Sequence, residues 1–179
     1  VSVDSLDLSY MKSLKSLEHL PPLLAVKSLS AYSSGLEYIS ALHNLPNLQS
    51  ANFSNCSSLK NVECLGEHPN LKKVTLSSTG VEKLPQQWQA ALEELDVSQS
   101  SSLTDLGQLP ASLKELNVKG CDALKTLKGI ESCASLVKLN ANQCDQLTSL
   151  EGLQHCTQLE ELHISVLVTD HAAFINHKN

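Results

Sequence analysis

The chain has 179 residues and a net charge of −6, and all 13 of its basic residues are lysines. Without arginine there is no guanidinium for bidentate contact with phosphate or guanine, and the acidic balance disfavours nucleic acid as a partner. No apolar run approaches the roughly 18 residues of a membrane span, so membrane insertion is not expected. Hydrophobic residues make up 41 % of the chain and aromatic residues only 3 %, which predicts an aliphatic core.

An apolar pattern repeats along the chain, starting at Val3 and Val26. Each unit spans 21–23 residues and places apolar side chains at positions 1, 4 and 6, and again at 12, 15 and 18. A fixed period of this length is typical of a solenoid, in which every unit buries its apolar face against its neighbours. Position 1 is held by Val3, Val26, Leu48, Leu71, Leu92, Leu113, Leu136 and Leu159, position 4 by Leu6, Leu29, Ala51, Val74, Leu95, Leu116, Leu139 and Leu162, and position 6 by Leu8, Ala31, Phe53, Leu76, Val97, Val118, Ala141 and Ile164.

Positions 3 to 7 of each unit alternate between polar and apolar residues, which predicts one short β-strand per unit. The side chains at positions 4 and 6 then enter the core, while those at 3, 5 and 7 face solvent. About 22 residues leave no room for a long return helix, so the opposite side is predicted to consist of 3₁₀ turns, a short helix or extended chain. One solenoid of about eight units is predicted over 1–168, followed by a tail or short capping helix at 169–179.

This pattern resembles the leucine-rich-repeat family, whose motif is L-x-x-L-x-L-x-x-(N/C)-x-L. The resemblance covers essentially the whole chain and implies an α/β, right-handed solenoid with a parallel sheet on its concave face. The family's usual Asn at position 9 is absent here. In the six inner units this position holds small side chains that can still donate a hydrogen bond to a loop carbonyl. The position-9 residues are Met11, Ser34, Cys56, Thr79, Ser100, Cys121, Cys144 and Leu167.

Three further residues carry specific structural expectations. Gly35 and Gly80 lie in turns that are one residue shorter than the others, and we expect each to adopt a positive φ angle there. Trp88 stands where other units place Leu or Ile, so it is predicted to be a convex-side core residue rather than a binding hot spot.

The cysteines and histidines show no spacing typical of a metal or catalytic site. Cys121, Cys133, Cys144 and Cys156 are separated by 12, 11 and 12 residues, but this regularity is that of the repeat, and no C-x-x-C pair occurs. We expect structural thiols, with strained disulfides as the lesser alternative. No H-E-x-x-H, G-x-S-x-G or phosphate-loop motif is present, so no catalytic residues, metal or cofactor are predicted.

The repeat pattern predicts which side chains face outward from the sheet, so the chemistry of this surface can be deduced from the sequence. Its outward side chains are polar and rich in Ser and Asn, with tyrosines near the N-terminal end. The alternative is that this face is merely solvated and that a partner binds elsewhere. The candidate partner-binding residues are Tyr10, Tyr32, Asn52, Lys73, Thr75, Glu94, Asp96, Asn117, Lys119, Lys138, Asn140 and His163.

These features favour a non-enzymatic module that binds another protein inside the cell. A second hypothesis is the ectodomain of a secreted or surface receptor, because two adjacent glycosylation sequons start at Asn52 and Asn55. A third is the substrate-recognition domain of a larger enzyme. The segments KLPQQWQAALEELDVSQ and QLPASLKELNVKGC resemble the L-P-x-x-L-x-x-L repeats of bacterial effector ubiquitin ligases, although only two of the eight units carry this proline.

Overall fold

A computed structural model describes residues 2–165. Eight parallel strands form one sheet, and each strand pairs with the next one along the chain. The strands are β1 (Ser5–Asp7), β2 (Ser28–Ser30), β3 (Ser50–Asn52), β4 (Lys73–Thr75), β5 (Glu94–Asp96), β6 (Glu115–Asn117), β7 (Lys138–Ala141) and β8 (Glu161–Ile164). Val1, the end of the predicted solenoid at 166–168 and the predicted tail at 169–179 lie outside the described residues.

The register of the sheet is the one that the apolar repeat predicts. Leu6 pairs with Leu29 between β1 and β2, Leu95 with Leu116 between β5 and β6, and Leu139 with Leu162 between β7 and β8. Every position-4 residue therefore stacks on the position-4 residue of the adjacent unit. Because side chains alternate along a strand, this pairing sends positions 4 and 6 inward and positions 3 and 5 outward in all eight units.

The side of the solenoid opposite the sheet contains only short helical segments, as predicted. These are 3₁₀ turns at Ser40–Asn44, Ile130–Ser132 and Leu153–His155 and one α-helical turn, α1, at Cys64–Glu67. Trp88 is partly buried and packs against the core on this side, in agreement with its predicted role. Within the described residues, no helix has both the length and the apolar character needed to cross a bilayer.

The core is continuous and mainly aliphatic, and its residues are less buried at both described ends. Position-1 residues from Val26 to Leu136 are fully buried, whereas Val3 and Leu159 are only partly buried. The same holds at position 4, where Leu6 and Leu162 retain exposed surface. An inner unit is covered by neighbours on both sides and a terminal unit on one side, which accounts for the difference.

Four of the position-9 side chains bond the backbone of the preceding unit. The Ser100 hydroxyl donates to the Leu76 carbonyl at 3.0 Å, and the Cys121 thiol donates to the Val97 carbonyl at 3.2 Å. In each case the acceptor is the position-6 carbonyl of the preceding unit, at the point where the chain leaves the strand. The expected donation to a carbonyl is confirmed for these residues and for Thr79, whose hydroxyl donates to the Leu76 carbonyl of its own unit at 2.9 Å, whereas the Ser34 hydroxyl lies 3.3 Å from the Cys56 thiol. The remaining thiol bonds of this kind are Cys56 to Ala31 at 3.1 Å and Cys144 to Val118 at 3.0 Å.

The positive φ angle that turns the chain away from each strand is at position 8, not at Gly35 or Gly80 as the sequence suggested. Those two glycines are required for space instead. A Cβ atom on Gly35 would lie 2.0 Å from the Lys12 carbonyl oxygen, and one on Gly80 would lie 2.6 Å from the Ser57 carbonyl oxygen. The position-8 residues with positive φ are Tyr10, Ser33, Asn55, Ser78, Gln99, Gly120 and Gln143.

Candidate functional site

The outward side chains at positions 3, 5, 7 and 8 of the described units form one continuous surface, here called the sheet face. Strand pairing aligns these side chains into rows that cross the sheet, at roughly 4.8 Å per strand. All twelve candidate residues lie in these rows. The solenoid thus brings side chains that are more than 150 positions apart in sequence onto a single surface.

A shallow depression of about 410 Å³ crosses the C-terminal part of the sheet face, from β4 to β8. Eight of the twelve candidate residues line it: Lys73, Thr75, Glu94, Asp96, Asn117, Lys138, Asn140 and His163. Glu115 and Glu161 also line it and were not among the candidates. They share position 3 with Lys73, Glu94 and Lys138, so the row itself was the signal that could have found them. Asn52, Tyr10, Tyr32 and Lys119 lie outside the depression.

The position-3 row carries charges of both signs across the depression, with Glu94 and Glu115 as adjacent like charges. Lys73 Nζ lies 3.0 Å from Glu94 Oε2, and Lys138 Nζ lies 3.4 Å from Glu161 Oε1. Glu115 lies between these two ion pairs and, within residues 2–165, has no ion pair of its own. The paired groups are about half exposed, so each pair contributes little to stability, on the order of 0–1 kcal/mol. A partner can therefore replace these ion pairs with its own contacts with little loss of folding stability.

The side chains of the position-5 row lie on the sheet face and also stabilise the strands to which they belong. Where this position is Asp or Asn, the side-chain Oδ1 accepts the backbone N–H two residues later, as Asp96 does from Ser98 at 2.8 Å. This local bond closes the end of the strand and explains the preference for Asx residues there. The other members of the set are Asp7 with Ser9, Asn52 with Ser54, Asn117 with Lys119 and Asn140 with Asn142. The Asn117 amide also donates to Asp96 Oδ2 at 3.3 Å.

An aromatic pair marks the N-terminal end of the sheet face. The rings of Tyr10 and Tyr32 lie 5.6 Å apart between centroids, with an interplanar angle of 71°, which is an edge-to-face arrangement. The Tyr32 hydroxyl accepts a hydrogen bond from Asn55 Nδ2 at 2.9 Å. Tyr10 is 68 % exposed, so most of its ring is open to solvent.

The six cysteines are all free thiols, and five of them are buried. Burial, with Cys144 nearby, raises the pKa of Cys121 to about 12, and burial with Cys156 nearby raises the pKa of Cys133 to about 12. Burial also raises the pKa of Cys64 and of Cys156 to about 11. Among residues 2–165, no three metal-ligating side chains come together. The raised pKa values keep Cys64, Cys121, Cys133 and Cys156 mainly in the protonated form at neutral pH.

No protein-family model and no curated protein sequence matches this chain. Solved structures do match it. An internalin (inlF) from Listeria monocytogenes superposes with a TM-score of 0.56 at 18 % identity, over 97 % of this chain and 58 % of its own length. Internalin C2 from the same organism gives 0.54 at 14 % identity, over 97 % and 77 %.

A third similar structure is the leucine-rich repeat domain of the type III effector XopL. It superposes with a TM-score of 0.53 at 22 % identity, over 92 % of this chain and 76 % of its own length. The chain spans less than two thirds of the length of the first of these structures. The register of the eight parallel strands, their short return segments and these three similarities show that the chain has the leucine-rich-repeat fold.

Proposed function

We propose that the chain is a protein-interaction module that binds a partner protein through its sheet face. The observation that carries the proposal is the alignment of polar and charged side chains in rows across eight strands. The strands and the Asx bonds hold these rows in place before any partner arrives. A preformed surface loses little conformational entropy on binding, so more of the contact energy appears as affinity.

A non-enzymatic role is part of this proposal. The strongest nucleophiles in the chain are thiols, and the raised pKa values of Cys121 and Cys133 keep them protonated, which makes them poor nucleophiles. Glu94 and Glu161 of the depression are about half exposed and paired with lysines, and such surroundings do not favour general acid catalysis at neutral pH.

We also propose an intracellular setting, which the six free thiols support because disulfides form readily in secreted proteins. The alternative is a secreted or surface ectodomain, favoured by the two sequons. A glycan on Asn52 would lie on the sheet face and obstruct it, since Asn52 occupies position 5 of β3. Intact-mass measurement after secretion from a eukaryotic host would separate the two settings, because glycosylation adds a discrete mass.

A third candidate, the recognition domain of a larger effector-like ligase, is favoured by the L-P segments and by the similarity to the XopL repeat domain. Its binding step would use the same sheet face, so it is compatible with the interaction proposal. The sequence that flanks this segment in the parent gene would test it, because a ligase requires a catalytic domain outside these repeats.

The binding surface can be tested with ligands selected against the purified chain from a displayed peptide library. Substituting Ser28→Lys changes the N-terminal half of the sheet face, and Glu115→Lys changes the C-terminal half. Each ligand is expected to lose at least about tenfold in affinity with one of the two variants, since like-charge contacts and lost pairing cost a few kcal/mol. Glu82→Lys, which changes charge at an exposed residue outside the sheet face, is the matched control.

Titration calorimetry would give the affinities, and circular dichroism would confirm that the variants fold. Ligands that lose affinity with Glu82→Lys and retain it with both sheet-face variants would show that the partner surface lies elsewhere on the solenoid.

A further inference from the structure

The aromatic pair at the N-terminal end of the sheet face includes a residue that its backbone conformation disfavours. Tyr10 has φ 64°, in the left-handed region, where a bulky side chain is uncommon. The corresponding residues of the next six units are polar or glycine, with similar positive φ values: Ser33, Asn55, Ser78, Gln99, Gly120 and Gln143. Tyrosine is thus the exception at a position that otherwise takes residue types tolerant of this conformation.

Burial in the core does not compensate for this strain. Tyr10 is 68 % exposed, and its ring meets the Tyr32 ring in the edge-to-face contact. An exposed aromatic ring held in a disfavoured conformation adds little to folding, and strained residues of this kind cluster at binding sites. Tyrosine is also among the residues that dominate the binding energy of protein interfaces.

The charge of the sheet face indicates what kind of side chain the Tyr10–Tyr32 pair would bind. The face holds five carboxylates against three lysines, Lys73, Lys119 and Lys138, so its net charge is −2. Asp7 is the carboxylate nearest in sequence to the pair, and hydrogen bonds from Ser9 lower its pKa, which keeps it ionised. It has no ion pair among residues 2–165. The closest cation in sequence, Lys12, donates to the Ser33 hydroxyl at 2.8 Å.

We propose that the Tyr10–Tyr32 pair anchors an arginine side chain in an extended segment of the partner protein. A guanidinium is planar, stacks on aromatic rings and carries the charge that Asp7 complements. This chain has no arginine of its own, so no guanidinium of the chain competes for that role. The inference rests on the proposed function and specifies one anchor point on the sheet face.

The protein has three tyrosines, which makes the anchor observable without a known partner. The full chain would be produced with 3-fluorotyrosine, giving three ¹⁹F signals, each assigned by a Tyr→Phe variant. The probe is a capped Gly/Ser decapeptide with one central arginine, and the control peptide carries uncharged citrulline in its place. Tyr38 is 60 % exposed and lies outside the sheet face, so it is the internal control.

We expect the arginine peptide to shift the Tyr10 and Tyr32 signals together and saturably while Tyr38 stays unchanged. Citrulline should weaken binding about two- to fivefold, the range of a cation–π contact at an exposed site. Tyr10→Ser, which restores the residue type used at Ser33 and Ser78, should lower the affinity by a similar factor. Asp7→Asn should also weaken binding, and Lys12→Gln should strengthen it.

Equal shifts with the arginine and citrulline peptides, or a response at Tyr38 as large as at Tyr10, would overturn the proposal. So would an affinity that Tyr10→Ser leaves unchanged, with circular dichroism showing that the variant is folded. These failures are distinguishable from failure of the interaction function. Library ligands that lose affinity with Glu115→Lys would still place a partner on the sheet face, at its C-terminal half.

Discussion

Substituting Leu116 with alanine is expected to lower the free energy of unfolding by about 2–5 kcal/mol, the range for deleting a buried leucine side chain. Leu116 is 2 % exposed at the centre of β6 and stacks in register between Leu95 and Leu139. Because the stability of a solenoid is a sum over contacts between adjacent units, a cavity here weakens the coupling of its two halves. Urea denaturation followed by circular dichroism should show an earlier and broader transition.

Leu162→Ala is the matched control for this prediction. Leu162 occupies the same position of the repeat in β8 but is only partly buried, so its truncation removes less contact area. Its loss of stability should be clearly smaller than that of Leu116→Ala. Equal losses for the two variants, or a Leu116→Ala protein that unfolds as cooperatively and at the same urea concentration as the wild type, would contradict the assigned core.

The thiols are expected to react very slowly with a maleimide or disulfide reagent in the native protein. A pKa of about 12 for Cys121 lowers its thiolate fraction near pH 8 by a factor on the order of 10³ relative to an ordinary thiol, and burial adds a steric barrier. Cys133 should behave in the same way. Cys64 is the one thiol that is only partly buried, so it should react first.

Complete labelling in denaturant supplies the control, where six thiols should be counted by mass spectrometry. Fewer than six would reveal disulfides and favour the extracellular alternative. Rapid native labelling of Cys121 and Cys144 would contradict the register, since both occupy position 9.

The raised pKa of Cys121 also makes the free energy of unfolding depend on pH. A folded-state pKa raised from about 8.5 to about 12 costs stability as the pH rises through that interval, because only the unfolded chain ionises freely there.

The strands and their register could be predicted from the sequence because they follow from one periodic constraint. Shifting β6 by a single residue would expose Leu116 and Val118 and bury Glu115 and Asn117, so the apolar pattern admits one pairing. The same constraint applies in every unit. The thiol and hydroxyl bonds at position 9 were also predictable, because buried donors of this kind normally find an acceptor.

The turn geometry was harder to predict because it depends on contacts between units. Gly35 suggests a positive φ when it is read within its own unit, yet its actual constraint is the Lys12 carbonyl of the preceding unit. The positive φ lies at position 8, where the sequence shows Ser, Asn, Gln and Tyr as well as glycine. No local signal distinguishes these residues from ordinary solvated ones.

The candidate surface was predicted in part. The rows of outward side chains follow from the register, but the repeat pattern does not show which of these side chains line the depression. Glu115 and Glu161 therefore went unselected, although they line the depression beside Lys138. The edge-to-face contact of Tyr10 with Tyr32 likewise depends on the turn at position 8 and not on the strand pattern.

Carboxyl footprinting tests the central claim, that the partner binds on the sheet face, most directly. The native chain would be labelled with a carbodiimide and glycine ethyl ester, with and without a library-selected ligand, and each site quantified by mass spectrometry. Ligands sensitive to Glu115→Lys should protect Glu94, Glu115 and Glu161 and leave exposed Glu82 and Glu151 unchanged. Protection of Glu82 or Glu151, with Glu115 labelled as in the free protein, would contradict the account.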